Sequence, residues 1–155
     1  MSKIHEVTRQ ADYIASMNHC LKTQWQTYHK TLTKAVTTSK ININHRFTYS
    51  QEGDLRFLLF NYFIVRIQLG DDFYSRDICY SINLAKSHEA ENFAPFAHAM
   101  LDENGNIDGE VNSHDMQAVL DHYLDKIAVI YQCLYDSLHN DHAIHDALKK
   151  ITLSV

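Results

Sequence analysis

The stretch LRFLLFNYFIVRIQL, residues 55–69, is rich in aromatic and β-branched residues, which favour strands. In its second half, Arg66 and Gln68 alternate with Val65, Ile67 and Leu69. This period of two is typical of a strand in a sheet with one face in water. The pattern predicts two strands, LRFLLF (55–60) and YFIVRIQL (62–69), in the middle of the chain.

Segments of similar composition lie on both sides of this stretch. RFTYS (46–50) and DICYSINL (77–84) are also predicted as strands, with turn signals at Gln51-Glu52-Gly53-Asp54 and Gly70-Asp71-Asp72. Further along, FAHAML (96–101) and NIDGEV (106–111) flank Asn104-Gly105, which is the strongest type of two-residue hairpin signal. The sequence therefore predicts an antiparallel sheet of about five to six strands, within about residues 44–84 and 96–111.

The amino-terminal segment predicts a long helix over about residues 4–38. Its seam, defined as the positions that alternate by three and four, is apolar except for Asn18. The seam consists of Ile4, Val7, Ala11, Ile14, Asn18, Leu21, Trp25, Tyr28, Leu32 and Ala35. Few flanking positions could form interhelical ion pairs, and Ala15, Met17 and Val36 widen the stripe. Packing on a sheet or in a bundle is therefore favoured over a simple two-stranded coiled coil.

Helical periodicity returns after residue 112 and predicts helices over about 113–139 and 143–151. The apolar face of the longer helix is broadened by Val119, Leu124, Tyr131 and Tyr135, which predicts burial on two sides. The expected fold class is α+β: a long amino-terminal helix, an antiparallel sheet, and a long carboxy-terminal helix packed on the sheet. With few glycines and one proline, residues 1–155 are expected to form a single domain.

Composition indicates a cytoplasmic protein without a membrane segment. No apolar run approaches the length of a membrane span, and three isolated cysteines suit a reducing compartment. Residues 1–46 hold 7 basic and 2 acidic residues, a net charge of +5, whereas the remainder holds 7 basic and 17 acidic residues, a net charge of −10. The segment 13–51 has no carboxylate, but its few dispersed cations make direct contact with DNA the less favoured interpretation.

The segment NGNIDGEVNSHD (104–115) resembles the calcium loop of an EF-hand. Asn104 and Asp115 stand where Asp and Glu are usual, which leaves Asp108 and Asp115 as weak metal candidates. The favoured interpretation is a turn, after which Asn112 or Ser113 caps the next helix. His142 and His145 form a second weak metal candidate. No catalytic or cofactor-binding motif is present, so we expect no enzyme activity, no metal and no cofactor.

Three blocks of the sequence carry a family resemblance. They are EVTRQADYIA (6–15) with LKTQWQTYHKTLTKAVTTSK (21–40), DLRFLLFNYF (54–63) continuing to LGDDFYSRDICY (69–80), and IDGEVNSHDMQAVLDHYLDKIAVIYQCLY (107–135). In this order and spacing the chain resembles the formate hydrogenlyase regulatory protein family, HycA. The resemblance implies negative regulation of the hydrogenlyase and hydrogenase-maturation operons, by opposing their formate-responsive transcriptional activator.

Protein contact is the mechanism that fits this resemblance and the acidic composition. The first helix is the expected interface, with Asn18, Leu21, Trp25, Tyr28 and Leu32 as candidates for a homodimer contact or an activator-docking face. Two alternatives stay open. One is a small acidic dimeric chaperone or adaptor, and the other is a weak DNA-binding protein that uses segment 13–51.

Overall fold

A computed structural model describes residues 2–48 and 53–153. It confirms the α+β class, with a long amino-terminal helix, an antiparallel sheet and carboxy-terminal helices. In chain order the elements are α1 (Lys3–Thr38), β1 (His45–Thr48), β2 (Leu55–Leu59), β3 (Phe63–Leu69), β4 (Asp77–Asn83), β5 (Phe93–Met100), β6 (Asn106–Ile107), β7 (Val111–Asn112), α2 (Met116–His139) and α3 (Ile144–Leu153).

The main sheet is an antiparallel meander in the order β1-β2-β3-β4-β5. The predicted sixth strand is instead a separate two-stranded ribbon of β6 and β7, joined to the end of β5 by the Leu101–Ile107 bridge. Tyr49 and Ser50 of the predicted first strand, and Gln51 and Glu52 of the predicted turn, lie outside the described residues.

Two turns differ from the sequence expectation. At Asn104-Gly105 only Gly105 has a positive φ (82°), and its amide donates to the Asp102 carbonyl, so the connection is a three-residue loop and not a type I′ turn. The type I′ turn lies further on, where Asp108 and Gly109 both have positive φ and the Glu110 amide donates to the Ile107 carbonyl. The Asn104-Gly105 signal correctly predicted that the chain reverses direction here, but the predicted turn type was wrong.

The prediction that one face of the sheet is wet is confirmed by the burial along each central strand. Phe57, Val65, Ile67 and Tyr80 point to the helices and are fully buried. On the opposite face, residues such as Arg66 stay partly exposed. The alternation arises because successive strand residues point to opposite faces, so that one face packs the core while the other stays hydrated.

The helix α1 divides into two halves with different surroundings. Every buried residue of α1 lies from Leu21 onward, where the helix packs against the sheet side of the molecule and α2. With 36 residues the helix is ~54 Å long, which exceeds the width of the sheet it crosses. Its first half, residues 3–20, therefore extends beyond the core, and we call it the arm. Within the described residues, every helix is too short or too polar to cross a lipid bilayer.

Candidate interaction surfaces

Of the five seam residues proposed as an interface, four lie in the core and one lies at its edge. Leu21, Trp25, Tyr28 and Leu32 are buried against this chain's own sheet and helices, whereas Asn18 is half-buried where the core ends. An aromatic stripe of this kind packs equally well into a core or an interface, and the sequence pattern does not distinguish the two. In this fold the first four are core residues, so whether they contact a partner stays a prediction, and the exposed part of the seam lies before them.

Hydrogen bonds hold the polar ends of the buried aromatic residues. The Trp25 Nε1 donates to the Gly53 carbonyl at 3.1 Å, and the hydroxyls of Tyr28 and Tyr80 are 2.7 Å apart. Burial raises the pKa of both tyrosines well above the ordinary value, so both hydroxyls stay neutral. The paired hydroxyls therefore satisfy each other inside the core and are not available to a ligand or a partner.

The first exposed surface is the seam side of the arm. Ile4 is 76% exposed, and Val7 and Ile14 are about half exposed at 53% and 51%. Ala11 completes this exposed seam, and the described part of the chain leaves all four side chains open to solvent. At the base of the arm, Tyr13, Ile14 and Met17 form a shallow pocket of about 300 Å³ with Phe73 and Tyr74 of the β3–β4 loop. Phe73 is itself 71% exposed.

The second exposed surface is an apolar groove of about 700 Å³ between the β2–β3 turn, the end of α2 and the start of α3. Its apolar lining includes Phe60, Phe63, Tyr131, Tyr135, Leu138 and Ile144, and we call it the α2–α3 groove. Tyr135 is 60% exposed and Leu138 is 72% exposed. The expectation that the Tyr135 side of α2 would be buried was therefore wrong, because α3 packs beside this surface without covering it.

The backbone at Phe60 presents its ring to the groove. Phe60 and Asn61 have φ values of 54° and 56°, and the Tyr62 amide donates to the Leu59 carbonyl at 3.0 Å, which closes a type I′ turn. A bulky residue is unusual in the left-handed region, where the backbone crowds its Cβ. The ring lies 5.6 Å from that of Tyr131 across the groove. Sequence reasoning missed this site because the only local signal was Asn61 between two apolar runs.

The EF-hand-like segment uses its oxygen atoms for its own structure. One oxygen of Asp108 accepts from the Met100 amide at 2.8 Å, while the other is 2.8 Å from His122 Nε2 and 3.4 Å from Lys126 Nζ. Burial acts to raise the pKa of Asp108, but these hydrogen bonds and the Lys126 charge outweigh it, so the pKa is lowered overall. The second metal candidate, Asp115, is the N-cap of α2 and accepts from the Ala118 amide, so neither Asn112 nor Ser113 is the cap.

The two histidine candidates, His142 and His145, have different surroundings. His142 is exposed at the α2–α3 connection, and His145 packs its ring 6.0 Å from Tyr62. Among the described residues, no group of three or more His, Cys, Asp or Glu side chains is close enough to hold a metal ion.

Comparison with known proteins gives the chain a family. The family model described as the transcriptional repressor of hyc and hyp operons matches residues 2–149. The formate hydrogenlyase regulatory protein HycA of Escherichia coli strain K12 is 36% identical over 138 residues, which cover 89% of this chain and 88% of that protein. Proteins of the same name from Escherichia coli O157:H7 and Shigella flexneri match to the same extent. No solved structure matches the chain. The chain therefore belongs to the HycA repressor family, which is described as the transcriptional repressor of the hyc and hyp operons.

Proposed function

We propose that this protein represses the hydrogenlyase and hydrogenase-maturation operons by binding their formate-responsive activator protein. The description of the family and the name of its relatives support the regulatory role. A transcriptional repressor is not an enzyme class, and the proposal assigns no reaction to the chain. We further propose that the protein acts in the cytoplasm, where the activator and its operators are.

The observation that carries the contact with a protein is the α2–α3 groove. It is concave, almost entirely apolar, and edged by the exposed side chains of Tyr135 and Leu138. Exposed aromatic and aliphatic side chains around a concavity are the usual receptor for an amphipathic helix of another protein. The residues that line this groove include no cation and only one side-chain amide, that of Gln132, so they offer nucleic acid little to bind, whereas they offer an apolar helix a place to bury its side chains.

The charge of the chain supports the same proposal. The formal net charge of −5 disfavours binding to a phosphate backbone. All five cations of segment 13–51 are exposed, namely Lys22, Lys30, Lys34, Lys40 and Arg46, but they are dispersed and supply few phosphate contacts. We therefore assign the activator protein, and not the operator, as the partner of this chain.

The test is a calorimetric titration of the purified activator with this protein, with and without formate and operator DNA. We expect saturable binding without DNA, weakened at least tenfold by Leu138→Asp, because a carboxylate in the groove would lose its hydration. Val129→Asp is the matched control, since Val129 is a partly exposed apolar residue of the same helix outside the groove lining.

The contrary outcomes are distinct. Absence of binding in every condition, with folding confirmed by circular dichroism, would reject the activator as partner. Co-purification with an unrelated client would then favour the adaptor function. Binding that requires operator DNA and falls steeply with salt would instead favour direct contact with DNA.

A further inference from the structure

The arm carries an apolar seam for which the core of its own chain provides no cover. We propose that a second copy of this chain covers it, by pairing of the two arms in antiparallel orientation. This pairing is independent of which protein the α2–α3 groove binds. The seam spacing is unbroken from Ile4 to Ala35, and packing fills it only from Leu21 onward. The exposed part therefore has the apolar spacing of a helix that packs against another element, but the core of its own chain does not pack against it.

The order of residues along the arm defines a register for this pairing. In an antiparallel pair centred on residue 9, Ile4 lies opposite Ile14 of the second copy, and Val7 lies opposite Ala11. Both layers then combine an a position with a d position, as antiparallel helix pairs require. The pairing is isologous, so that one twofold axis buries all four side chains of both arms.

A parallel pairing conflicts with the position of the core. The seam turns only gradually around α1, by about 20° per heptad, so at the base of the arm it faces nearly the side that the sheet and α2 occupy from Leu21 onward. A parallel partner would continue along that side into space already filled by the first chain. The helix of an antiparallel partner begins at the base of the first chain's arm, so it does not enter this space. The partner's core lies beyond the amino terminus of the first arm.

The pocket at the base of the arm is where the first turn of the partner's helix would pack. In the antiparallel register, Ile4 of the second copy comes opposite Ile14, beside Met17 and the exposed ring of Phe73. The β3–β4 loop therefore presents an aromatic side chain where the first turn of the incoming helix would otherwise stay in water. An exposed phenylalanine next to an open helix face is accounted for by such a contact.

Charge and area set the expected strength of the dimer. Lys3 and Arg9 balance Glu6 and Asp12, so two arms do not repel each other. Pairing of the two arms with both Phe73 side chains removes on the order of 1,000 Å² from water, at the low end of specific interfaces. We therefore expect dissociation in the micromolar range, where sedimentation equilibrium measures it directly.

The first experiment compares the oligomeric state of the full-length protein with two variants. The unmodified protein is expected to sediment as a dimer at concentrations of tens of micromolar. Ile14→Glu places a charge in the seam and is expected to weaken dimerisation at least thirtyfold, whereas Ser16→Glu, on the opposite side of the arm, leaves it unchanged. Both positions are exposed, so both variants retain the fold. A monomer at every concentration, or equal dimerisation of the two variants, would overturn the proposal.

The second experiment measures the orientation of the two arms with a nitroxide label on the native Cys20. Cys20 is exposed, and Cys79→Ser with Cys133→Ser leaves it as the one labelling site. In the antiparallel register the two labels are separated by ~33 Å along the helix axis, whereas a parallel pair places them at the same height, with a shorter, purely lateral separation of the ~10 Å between helix axes plus the reach of the two labelled side chains. A distance distribution centred near the longer value supports the antiparallel pair, and one near the shorter value contradicts it.

Discussion

At the scale of single residues, His45 shows how the core controls protonation. Its Nδ1 is 2.7 Å from the Tyr131 hydroxyl and its Nε2 is 2.6 Å from the Tyr123 hydroxyl. The Tyr131 hydroxyl donates to the Ile43 carbonyl, so it accepts from Nδ1–H, and Nε2 accepts from Tyr123. This arrangement requires a neutral imidazole, and burial lowers the pKa of His45 to about 4.

We predict that His45 makes the fold less stable in mild acid. Between the unfolded pKa near 6.5 and the folded value, the unfolded chain binds the additional proton, so the free energy of unfolding falls as the pH is lowered through this window. The fall attributable to His45 is at most about 3 kcal/mol by this linkage, and it levels off below the folded pKa. Urea unfolding from pH 7.5 to pH 4.5 measures it.

The control for this prediction is His45→Gln, which keeps one donor and one acceptor but does not titrate. We expect the substituted protein to be less stable than the native chain at pH 7.5 and to lose less stability on acidification. If the free energy of unfolding falls by the same amount in both proteins as the pH is lowered, groups other than His45 cause the acid sensitivity.

At the scale of elements, the segment between β5 and α2 is a connection built from local hydrogen bonds. The Asp102 carboxylate accepts from the amides of Asn104 and Asn106, both at 2.9 Å. From outside the loop, Arg76 donates to the carbonyls of Leu101 and Asp102. Oxygen-bearing side chains occur in this segment because tight reversals leave backbone amides without partners, and short polar side chains supply them.

We predict that Asp115→Ala lowers the free energy of unfolding by about 1 kcal/mol, the usual cost of losing an N-cap. The Asp115 carboxylate accepts from the Ala118 amide, and alanine leaves that amide without its acceptor in the first turn of α2. Asp125→Ala, at an exposed position in the middle of the same helix, should leave the stability within about 0.5 kcal/mol. Equal effects of the two substitutions in chemical denaturation would contradict the capping role.

At the scale of the whole molecule, α1 is both a core element and a projection. Its second half contributes Leu21, Tyr28 and Leu32 to the core, whereas its first half adds no fully buried side chain. If the arms pair as proposed, the two halves of this helix have different roles, the second in stability and the first in association. The α2–α3 groove is a separate surface, so the proposed dimer and the proposed activator contact use different residues.

We predict that deletion of residues 2–16 leaves the folded core intact and removes dimerisation. No fully buried side chain is lost, so the free energy of unfolding of the monomer should change by no more than about 1 kcal/mol. Chemical denaturation at submicromolar concentration, with sedimentation at higher concentration, measures both properties. Loss of cooperative unfolding in the shortened chain would show that the arm belongs to the core.

The prediction from sequence was most accurate where one local pattern agreed with burial. The alternation of Arg66 and Gln68 with their apolar neighbours placed the wet face of the sheet correctly, because side-chain direction in a strand follows from residue parity. The seam predicted α1 with bounds close to Lys3–Thr38, since its spacing matches the helical period. The family resemblance was confirmed over nearly the whole chain.

The sequence by itself determined the type and order of the helices and central strands, because each rests on a period read along the chain. Only the tertiary structure decided that Trp25 and Tyr28 are core residues while Ile4 and Ile14 face solvent. The seam pattern is the same along the whole of α1, and what differs is how far the sheet extends beneath it. Exposure therefore depends on the size and placement of other elements, and no local pattern encodes that information.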